Sequence, residues 1–149
     1  MKLKQLRKIF KPLLDLIFPP KCQICSSIDF DSRYGFLCSD CSGKFHALQE
    51  PLCTVCGKPF SSPITSSHVC ATCLHDGPPF KTARSAGILE GSLLDAVKKF
   101  KYSHVRAMYK PLVEFTFANL HEYLISCRAD VVVPVPCHVK KLRQRGFHH

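Results

Sequence analysis

Residues 22–73 read CQICSSIDFDSRYGFLCSDCSGKFHALQEPLCTVCGKPFSSPITSSHVCATC, and four CxxC pairs punctuate them: Cys22/Cys25, Cys38/Cys41, Cys53/Cys56 and Cys70/Cys73. Twelve, eleven and thirteen residues separate successive pairs, and eight of the ten cysteines in the chain lie here. A CxxC places two sulfurs on one tight knuckle, and two knuckles brought together complete a tetrahedral thiolate shell around one zinc ion. The spacing predicts two such ions. Sequential ligation, with the first two pairs on one ion and the last two on the other, is the simplest scheme. A cross-braced scheme, first pair with third and second with fourth, satisfies the same spacing. Gly57 follows the third knuckle and can take the positive φ that turns backbone N–H groups toward the sulfurs. His46, His68 and His75 lie near the sites, but four sulfurs per ion leave them as surface or loop residues.

Eight cysteines in a short secreted chain would suggest disulfides instead. The opening MKLKQLRKIFKPLLDLIFPP has Lys11 and Pro12 inside its apolar run and no small-residue cleavage site before the cysteines. The expectation is therefore a reducing, cytoplasmic setting in which thiolates take metal. Closed four-sulfur shells leave no position for a substrate, so the zinc should be structural. No apolar run reaches the length of a membrane helix.

The formal charge of the 149 residues is +10, and its distribution matters more than its sum. Residues 1–21 carry six Lys or Arg against Asp15; residues 22–80 carry three against five acids; residues 81–149 carry twelve against five. Thiolates around zinc make the middle section more acidic still. A surface that grips phosphates needs the opposite sign, so nucleic-acid contact belongs to the basic flanks.

In the first flank, Leu3, Leu6, Phe10, Leu13 and Ile17 alternate spacings of three and four, which predicts an amphipathic basic helix over residues 1–21, ended by Pro19 and Pro20. Its apolar stripe would cover a neighbouring module, or meet an anionic membrane or a partner groove. YGFLCSDC and HVCATC read as short strands entering turns. KPFSSPITSSH reads as a loop. Residues 77–83 form a linker, after which ARSAGILEGS reads as an extended segment and turn. SLLDAVKKFKY predicts a helix with Leu93, Val97 and Phe100 on one face and Ser92 as its cap. A second helix is predicted from about Lys110 to Ser126, with Pro111 in its first turn and Leu112, Val113, Phe117, Leu120 and Leu124 as its core-facing stripe. Val131, Val132 and Val133 form a β-branched run, as in a strand buried on both faces of a parallel sheet. Pro134 and Pro136 stop it. Lys140, Lys141, Arg143 and Arg145 follow; a strand end followed by a basic loop is where an open α/β sheet binds anions, while composition alone favours a simply solvated basic segment. Cys127 and Cys137 read as small buried apolar residues.

The ordered combination of CxxC pairs, ARSAGILEG, a helix ending KKFKY, and DVVVPVPCHVKKLRQRGF resembles the competence-protein-F (ComF) family of bacterial proteins. The resemblance runs from Leu13 onward and implies an amino-terminal double zinc ribbon joined to a type I phosphoribosyltransferase-like domain. The expected fold is thus a small, β-rich, metal-stabilised zinc-ribbon module at residues 22–76, followed at residues 84–149 by the amino-terminal part of an α/β phosphoribosyltransferase-like domain. The resemblance also implies a part in DNA uptake during natural transformation, with a competence helicase or single-stranded DNA as partner. It places a pyrophosphate-side loop at residues 136–146, with Lys140, Lys141, Arg143, Arg145 and Gly146 as anion contacts. The family motif usually continues RGFNQ, where this chain reads Gly146, Phe147, His148, His149. The acidic pair and Thr- and Gly-rich turn that such enzymes use to hold phosphoribosyl pyrophosphate do not occur in these residues. The expectation is a truncated form without catalytic turnover, binding that ligand only if the domain is completed. The alternative is a stand-alone zinc-ribbon adapter that binds protein or nucleic acid through its basic flanks.

Overall fold

The structure, a computed structural model, describes residues 16, 19–28, 31, 34, 36–60 and 66–146. The stripe Leu3, Leu6, Phe10, Leu13 and Ile17 lies outside the described residues, as do residues 61–65 of the KPFSSPITSSH loop and residues 147–149. The chain divides into two compact units, Met1–Lys44 and Phe45–His149. The division falls between the two cysteine sets, so the second set shares a unit with the helices that follow it. Residues 77–83, expected as a linker, lie within that second unit.

Each cysteine set is built from two unlike knuckles. In the first, the chain turns back on itself: Ser26 N–H donates to the Cys22 carbonyl, and Gly57 N–H to that of Cys53, at 2.9 and 3.0 Å. The residue after the second cysteine, Ser26 or Gly57, has φ of 63° or 70°. The second knuckle instead opens a short helix, α1 (Ser39–Gly43) in one set and α2 (Ala71–Asp76) in the other. Cys38 and Cys70 sit at the helix caps with nearly the same backbone, φ −74° and ψ 158° against φ −72° and ψ 158°. Among the described residues, the strands expected from YGFLCSDC and HVCATC are not formed. In the first set Cys38 Sγ accepts from Cys41 N, which favours a helical start over continued pairing; Cys70 caps its helix without a side-chain bond.

In the second unit, α3 (Gly91–Tyr102) is followed by a 3₁₀ turn (Arg106–Met108) and α4 (Tyr109–Ser126), and α5 (Val139–Arg145) lies nearest the carboxy terminus. Leu93 and Ala96 of α3 and Met108 of the turn are buried. Glu90, with extended backbone, caps α3, and Ser92 falls inside its first turn rather than at the cap. Pro111 lies in the first turn of α4, where its missing N–H costs little.

α4 turns only part of the predicted stripe inward: Leu112 and Leu120 are half-buried, on the same recess as Phe115. Val113, Phe117 and Leu124 are exposed, while Phe115 meets Phe45 edge-on at 5.4 Å and Tyr123 hydrogen-bonds Thr82 at 2.6 Å. The helix carries apolar residues around most of its circumference, so the partners on residues 45 and 82–87 decide which face is covered. Among the described residues the backbone pairs only through isolated antiparallel bridges, Ala47 with Gly87 and Leu52 with Pro59. Residues 131–133 are outside any strand and lie exposed, so the doubly buried strand read from this run is corrected; the sheet neighbours that would cover valines on both faces are not formed. Cys127 is likewise exposed, and Cys137 half-buried.

Candidate metal centre

The sulfurs gather in two sets, Cys22, Cys25, Cys38 and Cys41 in one and Cys53, Cys56, Cys70 and Cys73 in the other, with all Sγ atoms of a set within 4.8 Å of one another. This is the sequential scheme. A tetrahedral zinc with Zn–S bonds of about 2.3 Å requires sulfurs about 3.8 Å apart. Cys25 and Cys38 are 3.7 Å apart, Cys56 and Cys70 3.8 Å, and Cys53 and Cys73 3.9 Å. The donors thus sit at the edges of a zinc-sized tetrahedron. Each of these edges joins one knuckle to the other, so an ion at the centre would tie the two together.

Backbone N–H groups point at the sulfurs, as anionic thiolates need. Cys53 Sγ receives Cys56 N–H at 3.5 Å and Cys70 N–H at 3.3 Å; Cys38 Sγ receives Cys41 N–H at 3.3 Å. Burial pushes the Cys53 thiol up, but backbone bonds from Cys70, Cys56 and Val55 outweigh it and bring it down to about 5. Cys22 follows the same balance, with burial opposed by the N–H groups of Cys38, Cys25 and Ile24, and falls to about 6. Their neighbours move the other way: burial, then bonds from adjacent cysteines, push Cys73 up to about 12 and Cys41 up as well. Burial also raises Cys38. Crowded thiols resist becoming anions together. A divalent cation supplies the charge that lets all four ionise, and binding it releases their protons.

The histidines are engaged elsewhere. His46 Nδ1 lies 3.1 Å from Glu90, His75 Nδ1 2.7 Å from Asp76, and the His68 ring stacks on Phe60 at 4.2 Å. A recess of about 290 Å³ beside Cys56, Lys58, Cys70 and Cys73 opens next to the second set. Four sulfurs already fill a zinc shell, so the recess offers no vacant metal position.

The second set is clamped to the segment that leads into α3. Ala83 N–H donates to the Val55 carbonyl at 2.8 Å, and the Arg84 guanidinium donates to the Thr54 and Ala83 carbonyls at 3.0 and 2.7 Å. A Cβ on Gly57 would stand 2.7 Å from the Ala83 carbonyl oxygen. Arg84 also lies over the Tyr123 ring at 5.3 Å. Sequence reading missed this clamp. Arg84 carries no motif; Gly87, tucked under the His46 carbonyl and the Phe115 ring, was the one glycine in ARSAGILEG that could have signalled a close approach.

Of the anion-contact residues read from the sequence, Lys140, Lys141 and Arg143 are exposed on α5, whereas Arg145 is buried. The Arg145 guanidinium lies 5.3 Å over the Tyr102 ring, and the Gly146 carbonyl accepts from Arg106 at 3.4 Å.

Residues 13–74 match the double zinc ribbon domain family. No curated protein and no solved structure matches the chain. The cysteine geometry and the domain match agree: the chain carries a double zinc ribbon and binds two structural zinc ions. No helix among the described residues is long and apolar enough to cross a membrane.

Proposed function

We propose that the chain is a zinc-stabilised binding protein of the ComF type, acting in DNA uptake by holding single-stranded DNA on its helical half. The docking of α5 beside α3 carries this reading. Arg145 against Tyr102, and Gly146 against Arg106, set α5 at the carboxy-terminal end of α3. Exposed Lys140, Lys141 and Arg143 then stand near exposed Arg106, with Lys99 and Lys101 in the last turn of α3. Exposed Tyr102 and Tyr109 add aromatic faces to this basic neighbourhood. Clustered cations with aromatic rings are how single strands are held without sequence preference, the cations on phosphates and the rings under bases. In this reading Lys140, Lys141 and Arg143 contact phosphate, while Arg145 and Gly146 keep α5 in place. The zinc ribbons act as scaffold and as a docking surface for a protein such as a competence helicase.

The residues that would hold phosphoribosyl pyrophosphate in an intact transferase-like domain are not in this sequence, and we expect no pyrophosphate release from it by these 149 residues. Binding of an oligothymidylate should weaken steeply with salt. The K140E/K141E/R143E variant should flatten the slope of log K against log salt by roughly 0.7 per lost phosphate contact. Salt-insensitive binding, or an unchanged slope in the variant, would remove the DNA reading and leave protein docking through the ribbons as the alternative.

A further inference from the structure

The two sulfur shells differ in how well their ligands are covered. Cys25 is exposed, alone among the eight, whereas its companions Cys22, Cys38 and Cys41 are 0%, 5% and 5% exposed. In the second set Cys53 is buried, and Cys56, Cys70 and Cys73 are half-buried. A sulfur bound to zinc is fully deprotonated, and oxidation of cysteine follows thiolate character and exposure together. Cys25 is the ligand that combines the two. Two sulfurs stand ready to react with it. Cys22 Sγ is held by the backbone N–H groups of Cys38, Cys25 and Ile24, which stabilise its charge and blunt its attack. Cys38 Sγ lies 3.7 Å from Cys25 Sγ and receives a single N–H among the described residues, from Cys41.

We propose that the first zinc shell is a thiol redox switch: a hydroperoxide oxidises Cys25, Cys38 closes a disulfide on it, and the ion leaves while the second shell keeps its own. With hydrogen peroxide, the Cys25 thiolate attacks one oxygen; an S–O bond forms, the O–O bond breaks, and hydroxide departs. The Cys38 thiolate then attacks the Cys25 sulfur, so that an S–S bond forms, the S–OH bond breaks and a second hydroxide departs. Two thiolates have lost two electrons, and one peroxide has become two hydroxides. Zinc keeps its charge but is left with Cys22 and Cys41, and dissociates as those sulfurs take up protons. The bridge joins one knuckle to the other along an edge that the ion spanned, which keeps the site ready to reload once a thiol reduces it. The first set lies in the unit Met1–Lys44, so its discharge leaves α3 and α4 in place. This inference goes beyond the proposed function and does not depend on it.

Native mass spectrometry of the zinc-loaded full chain during titration with hydrogen peroxide provides the test, together with peptide mapping of the product. One ion should be lost while the other stays, helical circular dichroism should hold, and the one-zinc form should carry a Cys25–Cys38 bridge. Dithiothreitol with added zinc should restore the second ion. Cys25→His puts a nitrogen ligand in place of the oxidisable sulfur, and should retain both ions at the peroxide concentration that discharges the parent. Should that variant load only one ion at the outset, the parent's peptide map and ion count decide alone. Retention of both ions under excess peroxide, joint loss of both, earlier loss from the second set, a bridge lacking Cys25 or Cys38, or a two-zinc Cys25→His that discharges like the parent would overturn the proposal.

Discussion

Ser26 and Gly57 occupy the same place in their knuckles, one residue past the second cysteine, with φ of 63° and 70°. A side chain in that region costs about 1–2 kcal/mol, so Ser26→Gly should stabilise the first site by about 1 kcal/mol. Gly57→Ala should act oppositely, costing about 1–3 kcal/mol, because its Cβ would add a 2.7 Å approach to the Ala83 carbonyl. Competition with a zinc chelator measures both: the first variant should hold its ion longer than the parent, the second should release one ion sooner. Acid should release zinc by the same residue-level logic. Ligation displaces protons from the thiols pushed upward, Cys38, Cys41 and Cys73, so falling pH favours the protonated, metal-free form. Affinity should fall about tenfold per pH unit for every proton displaced. The fall should steepen as pH drops through the values near 6 and 5, where Cys22 and Cys53 of the metal-free form also take a proton. A colorimetric zinc reporter followed during acid titration would contradict this by showing pH-independent retention.

Between elements, the clamp formed by residues 83–84 on the third knuckle and by 86–88 on 46–48 makes the second zinc part of the helical unit. Cys53→Ser should therefore cost helical signal from α3 and α4 as well as one ion, whereas Cys22→Ser should cost one ion and leave those helices intact. Gly87→Ala should also loosen α4, by about 1–3 kcal/mol, since its Cβ would meet the His46 carbonyl at 2.5 Å and the Phe115 ring at 2.7 Å. Thermal unfolding followed by circular dichroism at 222 nm reads all three variants; equal helix loss in both cysteine variants would contradict the clamp. The elements also show what periodicity could resolve. The ends of α3 and α4 were legible from Pro111 and from the apolar spacing, because helices are specified locally. The covered face of α4 was legible only in part: Leu112 and Leu120 of the stripe are half-buried, but Val113, Phe117 and Leu124 satisfy the same period and are exposed, and the partner Phe45 selects Phe115 instead. Residues 131–133 misled for a related reason: a β-branched run reports extended backbone, while burial depends on neighbours elsewhere in the chain.

Across the whole molecule, metal spacing was the most legible feature, since a CxxC fixes two ligands within four residues whatever surrounds them. Spacing alone left the pairing of knuckles open, because that is a three-dimensional choice. The cross-knuckle sulfur distances, 3.7 to 3.9 Å, make it sequential. That pairing divides the zinc between two units, and it can be tested by counting ions. Native mass spectrometry of the Cys22→Ser/Cys38→Ser double variant does so most directly. Both residues ligate one ion in the sequential scheme, so the variant should retain a single zinc on its intact second set. Complete loss of zinc would show that the two cysteines serve different ions, and would contradict the account.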